Sequence, residues 1–200
     1  MKFQLERISL FSDAVFAIAI TLMMIEIKPP HLHLGDSFGH AFAVFLELIP
    51  TFFGTILSFF LIGIFWKKHH ELMKYLVAYN PKVITLNFGF LLSIAFIPFS
   101  TAFLFENIGA SSSLPFLVYN LNYILATLAG YRLFTYVLSP ENKLCNELYT
   151  DDLRLLKREA VFQIFVYALV AILAFVDPNI APIGYPLLAL ENKWTRRKKA

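Results

Sequence analysis

The chain has 200 residues, of which 58% are hydrophobic and only 16% charged, with a net charge of +3. Soluble domains carry about 25% charged residues, so this composition excludes an ordinary soluble protein. Helices satisfy their own backbone hydrogen bonds in lipid, and the long apolar runs exclude a transmembrane β-barrel. We therefore predict an all-α integral membrane protein that forms a single domain over residues 1–200.

Six apolar segments are predicted to cross the membrane. The hydrocarbon core of a bilayer requires about 20 helical residues. The predicted spans are residues 7–27, 41–66, 82–105, 114–138, 159–176 and 180–192. The sixth contains the shortest uncharged run. The charged segment 151–158, which precedes the fifth span, is predicted to form a short amphipathic helix on the membrane surface.

Basic residues predict the orientation of these spans. With six spans and both termini in the cytoplasm, 16 of the 17 Lys and Arg residues fall in cytoplasmic segments, and only Lys28 lies outside. This asymmetry follows the positive-inside rule. Because the basic residues cluster at the ends of spans, they orient the chain and do not indicate nucleic-acid binding. Cys145 is the only cysteine, which excludes an intrachain disulfide and two-cysteine metal motifs.

Polar residues stand at the start of the first span. Ionisable groups inside a membrane are costly and usually functional. Arg7 and Asp13 are six residues apart, a poor spacing for pairing on one helix, so each is expected to find a partner on another helix. An alternative for Arg7 is that it binds lipid headgroups at the membrane surface.

An apolar stripe follows on the same span. Ile18, Leu22 and Ile25 recur at i, i+4 and i+7, with Thr21 beside them, so they share one helix face. Such a stripe more often faces lipid or protein core than a pore. Several copies around one axis would instead form a hydrophobic constriction.

Two adjacent histidines follow the second span. His69 and His70 point about 100° apart and cannot bind one metal from one helix face. We expect one to lie at the membrane surface and the other to reach the polar start of the first span, near Asn87 of the third. Buried polar groups would then satisfy one another. The predicted network comprises Arg7, Ser12, Asp13, one of the two histidines and Asn87.

Other functional motifs receive little support. Ile183-Gly184-Tyr185 is similar to a fragment of the potassium filter TVGYG, but the prolines at 182 and 186 favour the start of a helix. The chain contains no Walker loop, GxSxG or HExxH motif. We therefore predict no enzymatic activity.

The first span also carries a family signature. The pattern Arg7-x-x-x-Phe11-Ser12-Asp13, continued by AVFAIAITLMMIEIK, resembles the opening of the lysosomal potassium channel family (transmembrane protein 175), in its bacterial branch. The resemblance covers about the first 105 residues, and the last three spans match in number and orientation. Its further landmarks are Trp66, His69-His70, Asn87 and Pro98-Phe99-Ser100-Thr101.

This resemblance implies a homotetramer in which four first helices line a central pore. The expected constriction and selectivity residues are Ile18, Leu22 and Ile25, with Thr21 beside them. Phe11 lies within about 20° of Ile18 around the helix and is expected to line the inner vestibule. The resemblance also implies which polar residues hold the first helix against its neighbours: Arg7, Ser12, Asp13, His69 and Asn87. The expected location is the bacterial inner membrane, and the expected partners are other copies and the bilayer, with no nucleic acid or soluble protein.

The predicted function is a weakly discriminating, potassium-selective cation leak channel. It has no TVGYG filter and needs no cofactor besides the permeant K⁺; proton permeation is a second conductance to test. One alternative is a proton-coupled secondary transporter that uses Asp13 and His69 or His70. Transporters usually show inverted repeats and broken helices, which the sequence does not indicate. Another alternative is a non-conducting membrane scaffold.

Overall fold

The computed structural model describes residues 2–145 and 150–191. This part of the chain is helical and contains no β-strand, which confirms the all-α class. Two 3-10 helices cover Pro140–Asn142 and Ala181–Leu190. The α-helices are α1 (Lys2–Ile25), α2 (Phe38–Leu46), α3 (Ile49–Tyr75), α4 (Pro81–Ala95), α5 (Ile97–Phe105), α6 (Leu114–Leu138) and α7 (Thr150–Val176).

Prolines determine where several helices begin. Pro occupies the first turn of α3, α4, α5 and α6, where its missing N–H leaves no hydrogen bond unmade. Pro50 and Pro98 lie inside apolar runs, and a proline ring clashes with the carbonyl four residues before it. Each run is therefore divided into two helices, α2–α3 and α4–α5.

Four helical segments of the described chain are long and apolar enough to cross a membrane: Leu5–Ile25, Phe38–Tyr75, Pro81–Phe105 and Leu153–Val176. α6 has 25 residues but also carries buried Asn120 and Asn122. The apolar 3-10 helix Ala181–Leu190 has only ten residues. Six membrane crossings are therefore a proposal, which we take up below.

Two local predictions are corrected by the structure. The separate surface helix predicted at 151–158 is wrong, since these residues are the first turns of α7; no proline or glycine interrupts that run. In the last predicted span, residues 181–190 form a 3-10 helix with Pro186 inside it. Pro186 lacks the N–H that the interior of an α-helix requires.

Aromatic rings fill the core between the helices. Phe90 of α4 contacts Phe16 of α1, Phe65 of α3 and Phe134 of α6, with ring centroids 6.0, 6.1 and 6.2 Å apart. α6 packs mainly against α4 and α7, and the 3-10 helix Ala181–Leu190 covers α7. α1 packs against α3, α4 and α5, so three helices surround its buried face.

At each end of the bundle, a contact joins two loops. The Nζ of Lys28 lies 3.0 Å from a carboxylate oxygen of Glu106, so the loop after α1 meets the loop after α5. At the other end, the backbone N–H of Val77 donates to the carbonyl of Leu144 at 2.9 Å. In both cases the contact joins loops that the charge pattern places on one side of the membrane.

Candidate functional site

A chain of buried hydrogen bonds joins α1 to α4 and α3. Asn87 Nδ2 donates to Ser12 Oγ at 2.9 Å, and Asn87 Oδ1 lies 2.8 Å from His69 Nε2. Ser12 Oγ in turn donates to the carbonyl of Ile8 at 2.9 Å. All three side chains are buried, so each bond is shielded from water.

These bonds also assign the proton on His69. The Ser12 hydroxyl hydrogen goes to the Ile8 carbonyl, so Ser12 must accept from the amide of Asn87. Asn87 Oδ1 then faces His69 and can only accept. Nε2 of His69 therefore carries a hydrogen, and its Nδ1 is buried with no hydrogen-bond partner among the described residues.

A second bond ties Asp13 to α3. Trp66 Nε1 donates to Asp13 Oδ1 at 2.9 Å. His70 stacks against the indole ring, with centroids 5.5 Å apart and planes at 29°. Sequence reasoning noted Trp66 only as a landmark and missed it as the partner of Asp13. Trp66 lies three residues before His69, so both side chains are on one helix face. This spacing was the sequence signal that could have identified Trp66 as a partner of α1.

The predicted network is therefore divided in two. Ser12, Asn87 and His69 form one hydrogen-bonded chain, and Asp13 belongs to a separate pair with Trp66. The structure does not bring Arg7 into either group: its side chain is exposed and makes no hydrogen bond or ion pair with the described residues. A contact of Arg7 with lipid headgroups or with another copy stays a prediction.

The opposite side of α1 is apolar and exposed. Ile18, Leu22 and Ile25 are 58, 37 and 72% exposed, whereas Phe16 and Met23 are buried. One face of α1 is thus anchored to the bundle, and the face with the stripe is left uncovered within the chain.

Two other predicted pore residues lie on or near this exposed face. The Thr21 hydroxyl donates to the Ile18 carbonyl at 2.9 Å, and Thr21 is itself exposed. Phe11 is half exposed and meets Phe88 of α4 edge-on, with centroids 5.4 Å apart. Phe11 therefore links the exposed side of α1 to α4.

A further polar cluster, which sequence reasoning missed, lies inside the bundle. Thr101 Oγ1 donates to Ser58 Oγ at 3.0 Å, and the Ser58 and Tyr119 oxygens are 3.3 Å apart. These bonds join α5, α3 and α6. Isolated hydroxyls in apolar runs give no sequence signal for such pairing. The described residues contain no group of three or more His, Cys, Asp or Glu that would hold a metal ion.

The chain was compared with known proteins. A family model described as "Endosomal/lysosomal potassium channel TMEM175" matches residues 7–98. A potassium channel of Chryseobacterium sp. (strain P1-3) is 30% identical over 186 residues, which cover 92% of this chain and 90% of the relative. A potassium channel of Streptomyces collinus is 29% identical over 92% of this chain and 89% of its own length.

A solved structure is similar over almost the entire fold. It is the crystal structure of a lysosomal potassium-selective channel TMEM175 homolog from Chamaesiphon minutus. The two chains superpose with a TM-score of 0.77 at 25% identity, covering 98% of this chain and 99% of the other.

Proposed function

The chain belongs to the TMEM175 family of potassium channels, and we propose that it forms a potassium-selective cation leak channel with no enzymatic activity. Four copies, each crossing a bacterial inner membrane six times with both termini inside, surround one pore lined by α1. The channel needs no cofactor besides the permeant K⁺. Its discrimination between K⁺ and Na⁺ is weak, because it has no TVGYG filter.

The observation that supports this proposal is the division of α1 into two faces. Ser12 binds α4 and Asp13 binds α3 through one hydrogen bond each, so α1 cannot rotate without breaking both. Asn87 of α4 is in turn bonded to His69 of α3. In membrane proteins such bonds contribute about 0.6 kcal/mol each on average. The exposed stripe is thereby held in one direction, as a pore-lining face requires.

The stripe supplies the constriction in this proposal. Four copies of Ile18, Leu22 and Ile25 form stacked apolar rings, and an apolar ring that is too narrow for hydrated ions excludes water and closes. A small widening or twist of α1 readmits water and ions. Thr21 places a hydroxyl beside the rings, and Phe11 lines the inner vestibule.

Ion flux into liposomes tests the role of Ile18. Ile18→Asn makes the ring polar, so it should increase K⁺ flux and reduce the preference for K⁺ over Na⁺. The matched control is Ile172→Asn, because Ile172 on α7 is 62% exposed and belongs to no predicted pore surface. Equal flux and selectivity in wild type and Ile18→Asn would refute Ile18 as the gate.

Native mass spectrometry of the purified assembly tests the proposed count of four copies.

The proton-coupled transporter is not favoured. A relay between Asp13 and His69 or His70 would need hydrogen bonds that connect them. Asp13 is instead bonded to Trp66 and His69 to Asn87, while His70 stacks on the ring of Trp66. Single-channel currents separate the two functions, since a transport cycle is too slow to produce them. Proton permeation through the pore is tested in the same liposomes with a pH-sensitive dye. A non-conducting scaffold would show neither K⁺ flux nor proton flux.

A further inference from the structure

A cavity of about 590 Å³ opens at the end of the bundle where α3 and α6 end and α7 begins. No α1 residue lines it, so it is separate from the candidate pore surface. Its apolar wall comes from four helical segments and comprises Ile64, Leu72, Leu138, Leu155, Leu156 and Leu188. Its size is that of a typical small-molecule site.

An ion-pair network closes the inner side of this cavity. Lys68 Nζ lies 2.8 Å from a Glu159 oxygen and 3.7 Å from Glu191. Gln163 Nε2 lies 3.0 Å from both carboxylate oxygens of Glu191. The positive charge of Lys68 is therefore already neutralised by protein groups.

The outer rim carries one basic and one acidic side chain that are not paired. Lys67 and Glu71 line the cavity, are exposed, and form no ion pair with any described residue. They are one helical turn apart on α3, so their side chains are neighbours. Tyr75, a further turn along, also lines the cavity. This rim therefore offers adjacent sites for a negative and a positive group.

An apolar track leads away from the rim along α3. The track is an exposed stripe made of Phe53, Ile56, Phe60 and Ile64. At about 100° per residue these positions share one helix face with Lys67, Glu71 and Tyr75. The face is thus apolar where α3 passes through the membrane and charged where it ends, which matches the outline of a phospholipid.

We infer that this surface binds a zwitterionic ethanolamine phospholipid. Lys67 binds the phosphate, Glu71 binds the ammonium, and an acyl chain lies along the apolar track. The cavity lining contains two lysines and three glutamates, so an anionic headgroup without an ammonium meets excess negative charge. A choline headgroup has no N–H to donate to Glu71 and binds less well.

Native mass spectrometry of the full-length protein, with ethanolamine, glycerol and choline phospholipids of identical acyl chains added back, tests this site. The wild type should prefer the ethanolamine lipid about fivefold, the ratio expected for an exposed charge pair. Glu71→Gln should abolish that preference, and Lys67→Gln should weaken binding of all three lipids by a similar factor.

Matched controls are Lys157→Gln and Glu141→Gln, which change exposed residues outside the cavity lining and should bind like the wild type. The four variants alter surface side chains, and circular dichroism on heating verifies that each is folded. The inference is overturned if the wild type binds the three lipids equally. It is also overturned if Lys67→Gln and Glu71→Gln behave like the controls.

Discussion

Asn87→Leu is the most direct test of how α1 is anchored. Leucine has the same branched arrangement of side-chain heavy atoms as asparagine but makes no hydrogen bond, so the change removes the bonds to Ser12 and His69 at a site that is 3% exposed. Side-chain hydrogen bonds within membranes contribute about 0.6 kcal/mol on average and about 1.7 kcal/mol at most. The loss of two bonds should therefore lower the free energy of unfolding by about 1–3 kcal/mol.

The change should affect the pore as well as stability. His69 Nδ1 already has no hydrogen-bond partner among the described residues. Asn87→Leu therefore leaves both nitrogens of the buried imidazole without a hydrogen bond. Ser12 keeps only its bond to the Ile8 carbonyl, and among the described residues the Asp13–Trp66 bond is then the one side-chain hydrogen bond from α1 to another helix. We expect altered K⁺ flux in liposomes together with the reduced stability.

Unfolding in mixed detergent micelles measures the first effect, and liposome flux measures the second. The control is Asn107→Leu, since Asn107 is exposed and its side chain bonds only to the carbonyl of Phe103 near the end of α5, among the described residues. If Asn87→Leu and Asn107→Leu unfold at the same denaturant concentration and conduct alike, the buried chain does not anchor α1.

Two further substitutions test other contacts. Trp66→Phe keeps an aromatic ring but removes the donor to Asp13. It should lower the free energy of unfolding by about 1–2 kcal/mol, the range for hydrogen bonds to charged or intramembrane groups. A variant with wild-type stability and flux would contradict the anchoring role of Asp13. Gly54→Ala places a methyl group into the ring of Phe105 and should cost about 1–3 kcal/mol by overpacking. Gly63→Ala is its control: nothing lies within 4 Å of an added Cβ there, so the unfolding midpoint should stay equal or rise.

Local chemistry was enough to predict part of the candidate site. Ser12, Asn87 and a histidine were expected to meet because each is a polar group in an apolar segment at a similar depth, and the structure brings these three together. Helix geometry alone did not choose between His69 and His70, which differ by one position along the same helix; the family resemblance implied His69. It also assigned Arg7 to the network, although the side chain is exposed within the chain.

The features that the sequence missed depend on the rotation of one helix against another. Trp66 meets Asp13 only because α1 and α3 pack with those faces together, and Ser58 meets Thr101 and Tyr119 only where three helices converge. The pair Lys68–Glu159 joins residues 91 positions apart. No periodicity within one segment contains that information.

Composition and the apolar runs by themselves determined that this chain is helical and lies in a membrane, because lipid offers no partners for backbone polar groups. The motif at the start of α1 determined its family. Only the tertiary structure decided which face of α1 is held by the bundle and which is uncovered. A hydrophobic stripe has the same spacing whether it faces lipid, core or another copy, and its surroundings are set by the packing of neighbouring helices.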